Sequence, residues 1–266
     1  MLWQLKEQKV QTGDTAVDCI AFGTGARPLV MIQGLNTRGI KGAGAGLAWM
    51  YRLFARDFRV YLFDRRPDVR EGITIRDMAE DVACAMDALG IQNADVLGVS
   101  QGGMIAQYLA LERPDLVRRL VLAVTLCRPN AAVTEAITKW IQLANAGSMR
   151  ELVTDMAQRM YSDRYLRIYR PLLPLLTLVQ TPKDVPRFTA LAASCLTCDT
   201  WEQLEEIRCP VMVIGGKQDK LVTAEASVEM AQKLGCSLYL YEFLGHAAYE
   251  EAAKDFNRRV YDFFIS

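Results

Sequence analysis

What most restricts the folding of this chain is an alternation of short apolar runs with amphipathic stretches, broken once and then resumed. Residues 17–22, 29–32, 59–63, 94–99 and 119–126 read as strands, after a further one near the N-terminus. Helical spacing appears between them: Ile75, Met78, Ala79, Val82, Met86 and Leu89 share a face, as do Met104, Ile105, Tyr108 and Leu109 in 101–112. Thr74 and Asp77 are spaced as a capping pair for the first helix and Gly90 suits its end. From residue 128 to 200 only helical patterns occur. Strands resume at 210–214 and 237–243, with helices over 224–234 and 248–264. Strands alternating with helices imply a mostly parallel sheet covered on both faces. The fold class is therefore α/β, with a helical lid inserted after the sixth core strand. The chain divides into an N-terminal core part, 1–127, a lid, 128–200, and a C-terminal core part, 201–266.

Local signals refine this layout. Gly23-Thr24-Gly25 between the second and third strands predicts a tight reversal, read as a hairpin. In the lid, Ser148-Met149-Arg150-Glu151 has capping-box spacing, and Thr181-Pro182 puts a cap residue before a proline in the first turn. Gly42 to Gly46 is glycine-rich but lacks the lysine and hydroxyl residue of a phosphate-binding loop.

Gly98-Val99-Ser100-Gln101-Gly102 falls at the junction of a strand and a helix. There the pattern means a nucleophile elbow, a turn so sharp that the positions two before and two after the serine must lack bulk. A serine hydroxyl needs an adjacent base, most often histidine. The sequence contains one histidine, His246, after the last predicted strand and before the last helix. An imidazole facing serine needs an anion on its other nitrogen. Asp219, following the strand at 210–214, meets that need, and the order Ser100, Asp219, His246 suits a sheet of this kind. The alternative acid position, past the strand ending at 126, holds Cys127-Arg128-Pro129 and no carboxylate. Two backbone donors complete such a site as an oxyanion hole. They are expected at Gln101 N–H, at the start of the helix, and at Leu35 N–H, in Gln33-Gly34-Leu35-Asn36 after the strand at 29–32.

These stretches, with Glu112-Arg113-Pro114-Asp115 and Ile207 to Asp219, resemble the lipase and esterase group of α/β-hydrolase fold proteins, including enol-lactonase-like and cofactor-free haloperoxidase-like enzymes. The resemblance spans nearly all of the chain outside the lid. It implies a serine hydrolase that cleaves a small carboxylic ester or lactone through an acyl-enzyme. Perhydrolase, thioesterase and carbon–carbon bond hydrolase activities use the same triad, and a non-catalytic small-molecule receptor is the reading from another class. Two positions depart from the family pattern: Gln33-Gly34 stands where His-Gly is usual, and Asp64-Arg65-Arg66-Pro67 replaces a glycine-rich sequence.

Composition bears on partners and compartment. Acidic and basic residues balance at 31 each, which argues against nucleic acid. Met1 to Lys6 lacks the pattern of a signal peptide, and the richest apolar stretch, 172–179, is too short for a span and contains Pro174, so no membrane partner is expected. Seven scattered cysteines suit buried, reduced thiols and a cytoplasmic protein, the Cys195-Leu196-Thr197-Cys198 pair included. No cofactor or metal is called for, and a homo-oligomer is allowed. Trp140, Leu143, Met149, Met156 and Met160 in the lid offer either an acyl pocket or core packing. Arg150, Arg159, Arg164, Arg167 and Arg170 offer a carboxylate clamp or a solvated face.

Overall fold

Two strands, Ala94–Val99 and Val211–Gly216, are buried at every residue, as befits the middle of a parallel sheet covered on both sides. In a computed structural model, which describes residues 3–169 and 180–266, they belong to an eight-stranded sheet. Its strands are β1 (Lys6–Thr12), β2 (Thr15–Phe22), β3 (Arg27–Ile32), β4 (Phe58–Phe63), β5 (Ala94–Val99), β6 (Val117–Ala123), β7 (Val211–Gly216) and β8 (Ser237–Tyr241). The spatial order is β1-β2-β4-β3-β5-β6-β7-β8. β1 and β2 pair antiparallel, as do β2 and β4, and every other pairing is parallel.

Successive side chains of a strand point to opposite faces, so β3 sends Val30 and Ile32 into one core and Leu29 and Met31 into the other. The first core is covered by α2 (Ile75–Ala88) and α3 (Gln101–Glu112). The second is closed by α1 (Gly44–Met50) and by residues near the C-terminus such as Phe256, Val260 and Phe264. Thr74 and Asp77 form the reciprocal capping box expected at the start of α2.

The lid region contributes α4 (Ala131–Asn145), α5 (Met149–Met160), α6 (Asp163–Tyr169) and α7 (Val185–Ser194). Trp140 is buried in the first core, with Leu143, Met149 and Met156 packed against it. These side chains therefore serve core packing on the first face of the sheet. Beyond β7 come α8 (Ala224–Leu234), β8, and two C-terminal helices, α9 (Ala248–Glu251) and α10 (Ala253–Ile265), where the periodicity suggested one. Among the described residues no helix is long and apolar enough to cross a membrane. The apolar stretch 172–179 and Arg170 lie outside the described residues.

Four local expectations are corrected. β2 and β3 run antiparallel but are not a hairpin, because β4 lies between them. Their glycines serve a close crossing instead: a Cβ on Gly23 would sit 2.2 Å from the Phe58 carbonyl oxygen, and one on Gly25 2.0 Å from the Asp57 carbonyl carbon. The true hairpin joins β1 to β2 through Gly13-Asp14, with Thr12 opposite Thr15 and Gly13 at φ +57°. Ser148 makes no side-chain cap, and α7 is capped by Asp184, whose carboxylate accepts from Arg187 N–H at 2.9 Å, rather than by Thr181. β6 stops at Ala123, short of 126, because Val124 adopts φ +44°, a conformation that ends the ladder and is strained for a β-branched residue.

Candidate active site

Ser100 sits between β5 and α3 with φ +54° and ψ −122°, outside the regions that L residues favour. The surroundings hold it there. Its N–H donates to the Ala123 carbonyl at 2.8 Å, and its carbonyl accepts from the Thr125 hydroxyl at 2.7 Å. A Cβ on Gly98 would lie 2.6 Å from the Gly102 carbonyl oxygen, and one on Gly102 would lie 2.0 Å from the Ile32 carbonyl oxygen. Both glycines of the elbow are thus required by contacts with main chain. Gly102→Ala is expected to destabilise the protein by about 3 kcal/mol, the upper end of ordinary overpacking, because rigid β3 backbone must move. Urea unfolding of that variant beside wild type measures it.

The loops after β7 and β8 meet at the C-terminal ends of these parallel strands. Gly216 passes so close to Leu244 and Gly245 that a Cβ would lie 2.4 Å from the Leu244 carbonyl oxygen, and Gln218 N–H donates to that oxygen at 2.9 Å. This packing brings Asp219 and His246 together. His246, 1% exposed, has Nδ1 at 2.9 Å from Asp219 Oδ2 and Nε2 at 2.9 Å from Ser100 Oγ. The other Asp219 oxygen, Oδ1, accepts from the N–H groups of Leu221 at 2.8 Å and Val222 at 3.0 Å. The carboxylate therefore has one oxygen fixed by backbone and the other left for imidazole. From the lid, the Met160 carbonyl at the end of α5 accepts from Ala247 N–H at 2.7 Å, tying that helix to the histidine loop.

Gln33-Gly34-Leu35-Asn36 follows β3 and abuts the serine: a Cβ on Gly34 would lie 3.2 Å from Ser100 Cβ. Gln101 occupies the first position of α3, where a backbone N–H has no intrahelical acceptor. Ser100, His246 and Asp219 are thus linked at the C-terminal ends of the strands, with Gln101 next in the chain to Ser100 and the Gln33–Asn36 segment reaching it through Gly34.

Some of the surroundings were not anticipated. Thr125 braces the serine carbonyl, and a lone threonine after a strand carries no sequence signal for that. Arg65 is buried beside Gln101, with Nη2 2.5 Å from the Gln33 carbonyl oxygen and 3.3 Å from Gln101 Oε1. Among the described residues, the arginines of this region do not gather at the serine. Arg159 pairs with Asp155 and Glu135, and Arg150, Arg164 and Arg167 are exposed. Cys195 and Cys198 are free and buried, and burial pushes the Cys195 thiol up to about 11.

Comparison with known proteins accords with this architecture. The family described as alpha/beta hydrolase fold matches residues 27–146. The RutD protein of Caulobacter sp. (strain K31), assigned as a carbamate hydrolase, is 31% identical over 83% of this chain and 86% of its own. The 2-hydroxy-6-oxononadienedioate/2-hydroxy-6-oxononatrienedioate hydrolase of Cupriavidus pinatubonensis (strain JMP 134 / LMG 1197) is 29% identical over 96% of this chain and 93% of its own. The crystal structure of the enol-lactonase from Burkholderia xenovorans LB400 superposes with a TM-score of 0.86 at 21% identity, covering 97% of this chain and all of that one.

Proposed function

This chain belongs to the α/β-hydrolase fold family and is a hydrolase, and from that premise we propose that it cleaves a small carboxylic ester or lactone through an acyl-enzyme on Ser100. The observation that carries the reading is the unbroken hydrogen-bond chain from Ser100 Oγ through His246 to Asp219, with both links at 2.9 Å. In this reading His246 Nε2 takes the hydroxyl proton as Ser100 Oγ bonds to the carbonyl carbon, and the carbonyl π electrons move onto oxygen. The N–H groups of Leu35 and Gln101 receive that oxyanion. Its collapse breaks the bond to the leaving oxygen, which takes the proton back from His246. Water, deprotonated by the same nitrogen, then releases the acid and frees Ser100. Asp219 holds the imidazole with Nδ1 protonated and stabilises the imidazolium of each half-reaction.

The strained serine backbone supports this reading, because such strain costs on the order of 1–3 kcal/mol and persists where its surroundings enforce it. The relative of Caulobacter gives a second reading, hydrolysis of a carbamate, in which the same serine would attack a carbonyl that bears nitrogen. A panel of p-nitrophenyl esters graded by acyl length, aliphatic lactones and an N-substituted carbamate separates the two. Turnover of short esters or lactones with little on the carbamate is the expected result. Preference for the carbamate would favour the second reading, and tight binding of a panel member without turnover would favour a receptor.

A further inference from the structure

We propose that Arg65 is a positioning residue that holds the two arms of the oxyanion hole at their working separation. The inference rests on the serine-hydrolase reading above. One arm is the loop Gln33-Gly34-Leu35 and the other is the start of α3 at Gln101. The Arg65 guanidinium reaches both: Nη2 donates to the Gln33 carbonyl at 2.5 Å and to Gln101 Oε1 at 3.3 Å. Gln33 stands two residues before the Leu35 amide, and Gln101 itself carries the other donor. One cationic group thus bridges the segments whose relative placement decides where an oxyanion would be held.

Each participant is pinned from its far side. Gln101 Nε2 donates to the Leu191 carbonyl at 2.7 Å and lies 3.2 Å from Ser194 Oγ, so its side chain is held between Arg65 and α7. Arg65 N–H donates to Asp64 Oδ1 at 2.8 Å, while Asp64 Oδ2 accepts from Ile40 N–H at 2.9 Å, which fastens the Arg65 segment to the loop that continues from the first arm. The bridge is charge-assisted on neutral acceptors, which makes it stronger than an ordinary amide contact.

Packing does not account for this arginine. Arg65 is 6% exposed and its Nε is buried without a partner. Burial lowers the guanidinium to about 10. An apolar side chain of the same volume would be cheaper to bury, because taking a charge from water is costly and the nearby Asp64 offsets burial only in part. The bridge also connects the two departures from the family pattern. The Gln33 side chain leaves Nε2 buried and unpartnered, so the tie from this position runs through its carbonyl to Arg65.

The test compares wild type, Arg65→Met, Arg65→Lys and Gln101→Met, with thermal melting to identify the folded variants. Arg65→Met removes the bridge and Gln101→Met removes one acceptor while keeping the backbone N–H. The readouts are the rate at which a fluorophosphonate modifies Ser100, the affinity for a boronic acid that forms a tetrahedral adduct, and kcat and KM on p-nitrophenyl acetate. Arg65→Met is expected to slow modification, weaken the boronate and lower kcat, each by about 100-fold, the scale of an ångström-sized misplacement, with KM changed less than about threefold. Arg65→Lys recovers part of the loss, since an ammonium can reach one acceptor. If Arg65→Met does not fold, Gln101→Met carries the test, with the same kcat-selective loss expected. A folded variant that loses the bridge and reacts at the wild-type rate, or that changes KM alone, overturns the inference. A wild-type protein whose Ser100 resists the reagent refutes the serine-hydrolase reading instead.

Discussion

Ser100→Ala is expected to lower turnover of any accepted ester by at least about 10⁴-fold, the loss that follows when a nucleophile acting with its base as a unit is removed. The substitution takes away one oxygen, the atom 2.9 Å from His246 Nε2, and leaves the elbow backbone intact. The bonds from Ser100 N–H to Ala123 and from Thr125 to the Ser100 carbonyl involve main-chain atoms that alanine retains. Stability should therefore stay near wild type while chemistry fails. Steady-state kinetics with a short p-nitrophenyl ester, beside a denaturation curve, check both halves, and undiminished turnover in the folded variant would refute the acyl-enzyme.

Asp219→Asn is expected to cost about 10⁴-fold in kcat, through a tautomer rather than through lost packing. The direction follows from the two roles of the carboxylate. Oδ1 accepts from Leu221 and Val222 N–H groups, and only an oxygen can do that. An asparagine must put its carbonyl oxygen there, which turns its NH₂ toward His246 Nδ1, 2.9 Å away in wild type. Nδ1 then accepts, the ring proton moves to Nε2, and the nitrogen facing Ser100 can no longer take a proton. Ester kinetics on the folded variant read the loss, and activity within tenfold of wild type would show that Asp219 does not set the histidine tautomer.

The parts of the site that were legible in the sequence are those fixed by short-range sterics or by rarity. Gly98 and Gly102 could be read because a Cβ at either would collide with main chain, a requirement that appears as spacing. His246 could be read because it is the one histidine, and Asp219 because it follows a strand end on the right side of the sheet. Adjacency was not legible in the same way. Nothing in the pattern around Gly23 and Gly25 says that β4, more than thirty residues later, slips between β2 and β3, since both arrangements reverse the chain. The contacts of Arg65 with Gln33 and Gln101 and of Gln101 with Leu191 join distant segments through side-chain length and burial, so they leave no periodic trace. Arg159 shows the converse: nearness in sequence to other arginines does not make it part of a clamp, because α4 and α5 turn it toward Glu135 and Asp155.

Because the sequence contains a single histidine, the hydrogen-bond chain can be tested without a substrate. Nitrogen-15 NMR of protein labelled in histidine and carrying no histidine tag reads the protonation of each ring nitrogen of His246. The bonds to Asp219 and Ser100 require the proton on Nδ1, shared with Asp219, and a bare Nε2 toward Ser100. A proton found on Nε2 with Nδ1 bare would leave the serine without a base and overturn the triad.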